Sequence, residues 1–142
     1  MRIYFDTSFL SSLYSPDSNS SSALAALPST PAVKLVTHLT ELEFRNALQL
    51  RVFRKESTQE NATATQSIWQ KNLADGHFEL CPLPEGWIRR SHTIAQQATA
   101  RLGIRTLDLI QVAAAVELEA DALFSFDERQ RRLARELKLK LN

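Results

Sequence analysis

The chain has 142 residues, of which 44% are hydrophobic and 23% are charged, and its formal net charge is +1. This length and composition are typical of one folded domain with a substantial core, so we expect a single domain over residues 1–142. The balanced charge excludes a protein that attracts nucleic acid through a global basic field, and leaves only local patches for that purpose. A single cysteine, Cys81, excludes a disulfide framework and a cysteine-based zinc site, and we expect it to be a small buried hydrophobic residue.

The chain carries no signal of membrane insertion or secretion. No segment approaches the ~20 consecutive apolar residues of a membrane-spanning helix. Asp6 stands where a signal peptide would have its apolar stretch. We therefore expect a cytoplasmic protein without a membrane partner. The three histidines, His38, His77 and His92, lack the spacing of metal ligands and are expected at the surface or its boundary.

Short apolar runs alternate with helical patterns along the whole chain. The patterns predict strands at 2–5, 33–36 and 122–126, and edge strands at 78–83 and 138–141. They predict helices at 9–14, 23–27, 39–55, 58–74 and 87–102, one that begins at Thr106 and one that begins at Asp127. The expected caps are a residue within Asp6–Ser8 for the first helix, Thr37 or Thr40 for the helix at 39–55, Gly103 at the end of the helix at 87–102, Thr106 for the next helix, and Gln130 in a capping box for the last. This alternation predicts an α/β three-layer sandwich, with a central, mostly parallel sheet of four to five strands between helices.

The stretch from Leu107 to Val116 predicts a helix that is apolar on almost every side, as a helix buried in a core would be. Its only polar residues are Asp108 and Gln111, which lie three positions apart and so share one face. An ionised aspartate is almost never buried without a partner. A second anomaly of this kind is Glu43, which a helical wheel places on an apolar stripe with Leu39, Ala47 and Leu50.

Four carboxylates are expected near one edge of the sheet. Asp6 and Asp127 directly follow strands, whereas Asp108 and Glu43 lie in the first turns of helices. In parallel sheets, sites form beyond the carboxyl ends of the strands, where the strand order reverses. Singly, each acid has an ordinary explanation as a helix cap, a partner of the helix dipole or half of an ion pair. Together they would repel one another unless a cation held them, and an all-oxygen set suits Mg²⁺ or Mn²⁺.

These residues resemble a known family. The stretches Asp6–Ser8, Glu43–Leu48, Thr106–Ala113 and Phe124–Arg129 together resemble PIN-domain ribonucleases, and most of all the VapC-type toxins of toxin–antitoxin pairs. No single stretch is specific, but four in this order and spacing, over essentially the whole chain, are a strong match.

The resemblance implies a PIN fold and an endoribonuclease that uses Mg²⁺ or Mn²⁺. It matches Asp6, Glu43, Asp108 and Asp127 to the four acids of the family, as catalytic residues and metal ligands. Ser125 stands where the family commonly has threonine, and keeps the hydroxyl; Ser8 and Arg105 are further, secondary candidates. Glu41 is close enough to be confused with Glu43, but its helical position is less favourable. The resemblance also implies an RNA substrate, a small antitoxin as partner and a homodimer.

An RNA substrate requires cations near these acids, because phosphates repel carboxylates. The candidates are arginines that precede or follow the acids in sequence: Arg45, Arg51, Arg54, Arg101, Arg105, Arg129, Arg131, Arg132 and Arg135. The last four are better explained as a solvated helix face. Phe9, Leu10, Leu13, Tyr14 and Phe53 could form an apolar surface for a protein partner, although core packing explains them equally well.

Other families with acids at the rim of an α/β sheet fit less well. A phosphoacceptor receiver domain would have paired acids after one strand and a lysine after the last, and a haloacid-dehalogenase-type phosphatase would have a second aspartate at position 8, which is serine. A flap-type DNA nuclease needs a longer chain. The alternative from another class is a non-catalytic PIN-fold module that only binds RNA or protein.

Overall fold

A computed structural model describes all 142 residues of the protein. The elements follow in the order β1 (Arg2–Phe5), α1 (Thr7–Tyr14), α2 (Ser20–Ala26), β2 (Val33–Thr37), α3 (His38–Phe53), α4 (Gln59–Ala74), β3 (Glu79–Cys81), α5 (Trp87–Ile94), a π-helical segment (Ala95–Thr99), α6 (Ala100–Leu102), α7 (Thr106–Glu117), β4 (Ala122–Phe124), α8 (Glu128–Glu136) and β5 (Lys140–Leu141). None of the helices is long and apolar enough to cross a lipid bilayer.

The five strands form one sheet in the order β3-β2-β1-β4-β5, and every neighbouring pair is parallel. The chain builds the sheet outward from β1 through β2 to β3, and then returns to the other side of β1 to place β4. The order therefore reverses at β1 and β4, which is where ligand sites form in sheets of this kind. Asp6 and Ser125 follow these two strands directly.

Alternate residues of the central strands face two separate hydrophobic clusters. In β1, Ile3 and Phe5 pack with residues of α1 to α4, whereas Tyr4 packs on the opposite face with residues of α5 to α8. This is the period of two that a strand requires. The predicted three-layer α/β sandwich is confirmed, with α3 and α7 in opposite layers. Glu43 and Asp108 consequently reach the edge of the sheet from its two sides.

Aromatic side chains stabilise the packing of α1 to α4 against the sheet. Phe5 contacts Phe9, Phe78 and Phe124 with ring centroids 5.2, 5.5 and 5.3 Å apart, and Trp69 contacts Phe44 at 5.5 Å. Such edge-on and tilted contacts add to the stabilisation from burial itself. Phe9 and Leu10, which were expected either at a partner surface or in the core, are fully buried, whereas Phe53 is 83% exposed.

Several predicted boundaries differ from the structure. The third strand spans only Glu79–Cys81, because Pro82 and Pro84 have no backbone N–H to continue the pairing. The fourth ends at Phe124, and the fifth is reduced to Lys140–Leu141. The predicted helix at 87–102 contains the π-helical segment. Cys81 is buried, and Gly103 ends its helix with φ of 64°, as expected.

Two predicted helix caps and one predicted helix face differ from the structure. Thr106 does not cap α7 but is its first residue, and the preceding Arg105 makes no side-chain cap. Gln130 does not complete a capping box, because its amide donates to Asp108 instead. The buried face of α3 consists of Thr40, Phe44 and Leu48, so the predicted stripe through Leu39, Ala47 and Leu50 only borders it.

Candidate active site

Asp6 ends β1 and caps α1 at the point where the strand order reverses. Its Oδ1 accepts hydrogen bonds from the Phe9 backbone N–H at 2.9 Å and from the Ser8 hydroxyl at 2.8 Å. The residue is only 1% exposed. Desolvation raises the pKa of Asp6 to about 6, although the hydrogen bonds it accepts work in the opposite direction. A carboxylate at this position is therefore costly to ionise in the protein alone.

Two serines join the ends of β1 and β4. Ser8 donates to Asp6 and accepts from the backbone N–H of Phe126 at 2.9 Å. Ser125, which is fully buried, accepts from the backbone N–H of Asp127 at 3.0 Å. The two hydroxyl oxygens lie 3.4 Å apart. The secondary candidates Ser8 and Ser125 thus lie at the acidic edge and fix the backbone that carries Asp6 and Asp127.

Asp108 and Asp127 share one cation, the guanidinium of Arg105. Its Nε donates to Asp108 Oδ2 at 2.9 Å and its Nη2 to Asp127 Oδ2 at 3.4 Å. The Arg105 side chain is 65% exposed, whereas that of Asp108 is 11% exposed. Asp108 also accepts from the Gln130 amide at 3.1 Å, and Asp127 caps α8 by accepting from the backbone N–H groups of Arg129 and Gln130. Each of the four carboxylate oxygens of these two acids therefore accepts at least one hydrogen bond from the protein.

Glu43 approaches the same edge from α3. Its Oε1 accepts a short hydrogen bond from the side-chain amide of Gln111, and burial raises the pKa of Glu43. Glu43, Arg105 and Asp108 line one open cleft of about 330 Å³ together with Thr106 and Leu107. Glu41 does not face this cleft, because it pairs with Arg45 at 2.8 Å. The structure thus separates the two glutamates that the sequence left easy to confuse.

The four acids share one edge of the sheet, but they do not form a closed cluster. No three histidine, cysteine, aspartate or glutamate side chains lie close enough together to hold a metal ion. Arg105 lies between Asp108 and Asp127, and amides bind Asp108 and Glu43. The chemistry of the four side chains does fit a hard divalent ion, because all their ligand atoms are carboxylate oxygens. Asp6 is buried and Glu43 is partly buried, and neither has a hydrogen-bonded cation.

Most of the candidate arginines lie in ion pairs elsewhere. Arg101 pairs with Glu136 at 2.5 Å, and Arg131 binds Asn142 and the carbonyl of Ser125. The other pairs join Arg45 to Glu41, Arg51 to Glu56, and Arg131, Arg132 and Arg135 to Glu128. Arg105 contacts the acids directly, and Arg129, which follows Asp127 by two residues, is exposed and makes no side-chain hydrogen bond or ion pair. These two arginines are the cations that the structure leaves nearest to the acids.

The role of the buried amides does not follow from the sequence. Gln111 stands out as one of two polar residues in an apolar helix, but its partner Glu43 lies 68 positions away. For Gln130, the local pattern favours a contact at its own helix end. Contacts between distant elements of this kind follow only from the strand order.

Comparison with known proteins identifies the fold. A PIN domain family model matches residues 3–136. The chain belongs to the PIN domain family. The earlier resemblance is confirmed at this level, and comparison with curated protein sequences gives no match.

Several solved structures, VapC and VapBC proteins among them, have the same fold as this PIN domain. Mycobacterium tuberculosis VapC20, described as a toxin that cleaves the sarcin–ricin loop, is 17% identical with a TM-score of 0.69, covering 92% of this chain and 93% of its own. Rickettsia felis VapBC2, bound to a promoter DNA fragment, is 13% identical with a TM-score of 0.70, covering 100% and 98%. Neisseria gonorrhoeae FitAcB is 16% identical with a TM-score of 0.71, covering 98% and 95%.

The raised pKa of Asp6 predicts how stability depends on pH in metal-free protein. The unfolded chain loses this proton near pH 3.8 and the folded chain near pH 6. Between these values the folded state holds more protons, so wild type loses stability as pH rises, by about 2 to 3 kcal/mol for a shift of this size.

Asp6→Asn removes the titration but keeps a residue that can cap α1. We expect the stability difference between Asp6→Asn and wild type to grow in favour of the variant from pH 4 to pH 6.5, measured by urea unfolding with chelator present. Asp75→Asn, at the exposed end of α4, is the control. A difference that stays constant over this range would contradict a carboxyl group whose pKa is raised by burial.

Proposed function

We propose that this PIN domain is an endoribonuclease that depends on Mg²⁺ or Mn²⁺, with Asp6, Glu43, Asp108 and Asp127 as its catalytic, metal-binding acids. The observation that carries the proposal is the convergence of these four side chains, from four different elements and both helical layers, on the point where the strand order reverses. Two of them already share a cation, which shows that positive charge is stabilised there by the protein's own acids.

The residues supply a binding site and orientation rather than a nucleophile. A divalent ion bound by these oxygens would activate a water molecule and neutralise charge on the scissile phosphate. Ser8 and the Phe9 backbone N–H fix the Asp6 carboxylate, while Gln130 and Gln111 fix those of Asp108 and Glu43. The exposed guanidinium of Arg105 and that of Arg129 are positioned to contact the RNA phosphates, which the acids alone would repel.

The partner that we propose is a small antitoxin protein, so that the chain would be the toxin of a toxin–antitoxin pair. The support is the fold shared with VapBC2 and with VapBC-1 of nontypeable Haemophilus influenzae, which is 14% identical with a TM-score of 0.65. A homodimer and a cytoplasmic location remain predictions of the family resemblance.

A non-catalytic PIN module is the second candidate, and one observation favours it. Arg105 and the two amides already satisfy Asp108, Asp127 and Glu43, so these acids have partners without a metal ion. The two candidates differ in whether a divalent ion can displace Arg105 and whether RNA is then cut.

The first prediction of the proposal concerns cleavage. Purified wild type should cut a mixed RNA substrate only when Mg²⁺ or Mn²⁺ is present, and Asp108→Asn should lower the rate by about 100-fold or more, since several kcal/mol of charge stabilisation would be lost. Asp75→Asn, an exposed acid far from the cleft, should cleave as wild type does. An Asp108→Asn variant that folds and cuts RNA at the wild-type rate would remove Asp108 from the site.

The second prediction concerns Arg105. Because its guanidinium holds Asp108 and Asp127, we expect Arg105→Gln to bind Mn²⁺ about 3- to 10-fold more tightly than wild type, since one competing cation is removed. Arg101→Gln, four residues earlier and paired with Glu136, is the matched control and should bind as wild type does. Weaker Mn²⁺ binding by Arg105→Gln, measured by calorimetry, would show that Arg105 does not compete with the metal.

A further inference from the structure

A buried hydroxyl cluster lies directly beneath Glu43. The Tyr4 hydroxyl donates to Gln111 Oε1 at 2.5 Å, and the Thr40 hydroxyl donates to the same oxygen at 2.9 Å. Thr37 lies 3.0 Å from the Tyr4 hydroxyl and 3.1 Å from that of Thr40. Tyr4, Thr37 and Thr40 are fully buried, and Gln111 is 1% exposed. Four polar side chains therefore share one pocket that solvent does not reach.

Two hydroxyl groups of this cluster bind the oxygen of the Gln111 amide. An amide oxygen has two lone pairs, and the hydroxyl protons of Tyr4 and Thr40 occupy both. The NH₂ end of Gln111 faces the other way, and it donates to Glu43 Oε1. With the amide reversed, its oxygen would face the carboxylate instead.

The cluster also joins the parts of the fold that carry the site. Tyr4 belongs to β1, Thr37 ends β2, Thr40 lies in α3 and Gln111 lies in α7. The helices α3 and α7 belong to opposite layers and carry Glu43 and Asp108. A hydrogen-bonded link between the layers at this edge fixes the position of one acid relative to the other.

We propose that Tyr4 and Gln111 are positioning residues for Glu43: the Tyr4 hydroxyl orients the Gln111 amide, and the amide holds the carboxylate toward the cleft. This inference rests on the proposed function, in which Glu43 binds the metal ion. Hydrogen bonds to a ligating carboxylate typically change metal affinity by 10- to 100-fold. Tyr4 touches neither substrate nor metal in this account and acts only through Gln111.

The test is a double-variant cycle read by Mn²⁺ calorimetry. Gln111→Met keeps the shape of the side chain and removes the amide, and Tyr4→Phe removes only the hydroxyl. We expect Gln111→Met to bind Mn²⁺ about 10-fold more weakly than wild type, and Tyr4→Phe to bind more weakly by a smaller factor. The double variant should bind no more weakly than Gln111→Met alone, because Tyr4 acts through the amide. Gln97→Met, an exposed glutamine, is the control.

A second measurement decides the matter without metal. The side-chain NH₂ signals of Gln111 in a ¹⁵N NMR spectrum, assigned independently by through-bond correlation to the Gln111 backbone, should shift in both Glu43→Gln and Tyr4→Phe relative to wild type. This readout applies even if Gln111→Met does not fold, or if wild type binds no Mn²⁺ and the proposed function fails.

Three results would overturn the inference. The first is wild-type Mn²⁺ affinity in folded Gln111→Met, while wild type itself binds the ion, which would leave the proposed function standing. The second is independent, multiplicative losses from Tyr4→Phe and Gln111→Met. The third is a Gln111 NH₂ signal that moves in neither Glu43→Gln nor Tyr4→Phe.

Discussion

The desolvation of negative charge at one edge of the sheet is the constraint on which the rest of this structure depends. Asp6 is buried at the end of β1, and the fold brings Glu43, Asp108 and Asp127 to the same edge. Buried carboxylates that lack a partner are expensive, and four of them repel one another. The fold meets this cost with a helix cap on Asp6, a shared guanidinium for two acids and an amide for a third. Each of these contacts also fixes the orientation of the carboxylate that it binds.

The groups that bind these acids differ in how exposed they are. In the structure, Arg105 is the cation between Asp108 and Asp127. Its side chain is mostly exposed, so it can leave without disturbing the core, whereas Gln111 and Gln130 are buried and stay. Under the proposed function, the acids would bind a divalent ion in place of the exposed Arg105 guanidinium, while the two buried amides would keep their contacts with Glu43 and Asp108. Arg105 would then be free to contact the proposed RNA substrate.

Sequence alone predicts the architecture and the position of the four acids near one edge of the sheet, because both follow from the local pattern of strands and helices. Alternating strands and helices predict the sandwich, and an aspartate in an apolar helix signals a special environment. The local pattern does not predict the orientation of a side chain whose hydrogen-bond partner is distant in sequence. Thr40 turns inward because Tyr4 and Gln111 bind its hydroxyl, which moves the buried face of α3 away from the apolar stripe. Gln130 donates a hydrogen bond to Asp108, 22 positions earlier, and does not form the predicted capping box.

The most direct test of this account is a calorimetric titration of the purified protein with Mn²⁺, beside the Asp6→Asn/Asp108→Asn double variant. The sample is first checked for a small co-purified chain that would occupy the cleft. The account predicts that wild type binds Mn²⁺ and that the double variant, although folded, does not. No binding by folded, partner-free wild type at millimolar Mn²⁺ would contradict it, and would leave the four acids as helix caps and ion-pair partners.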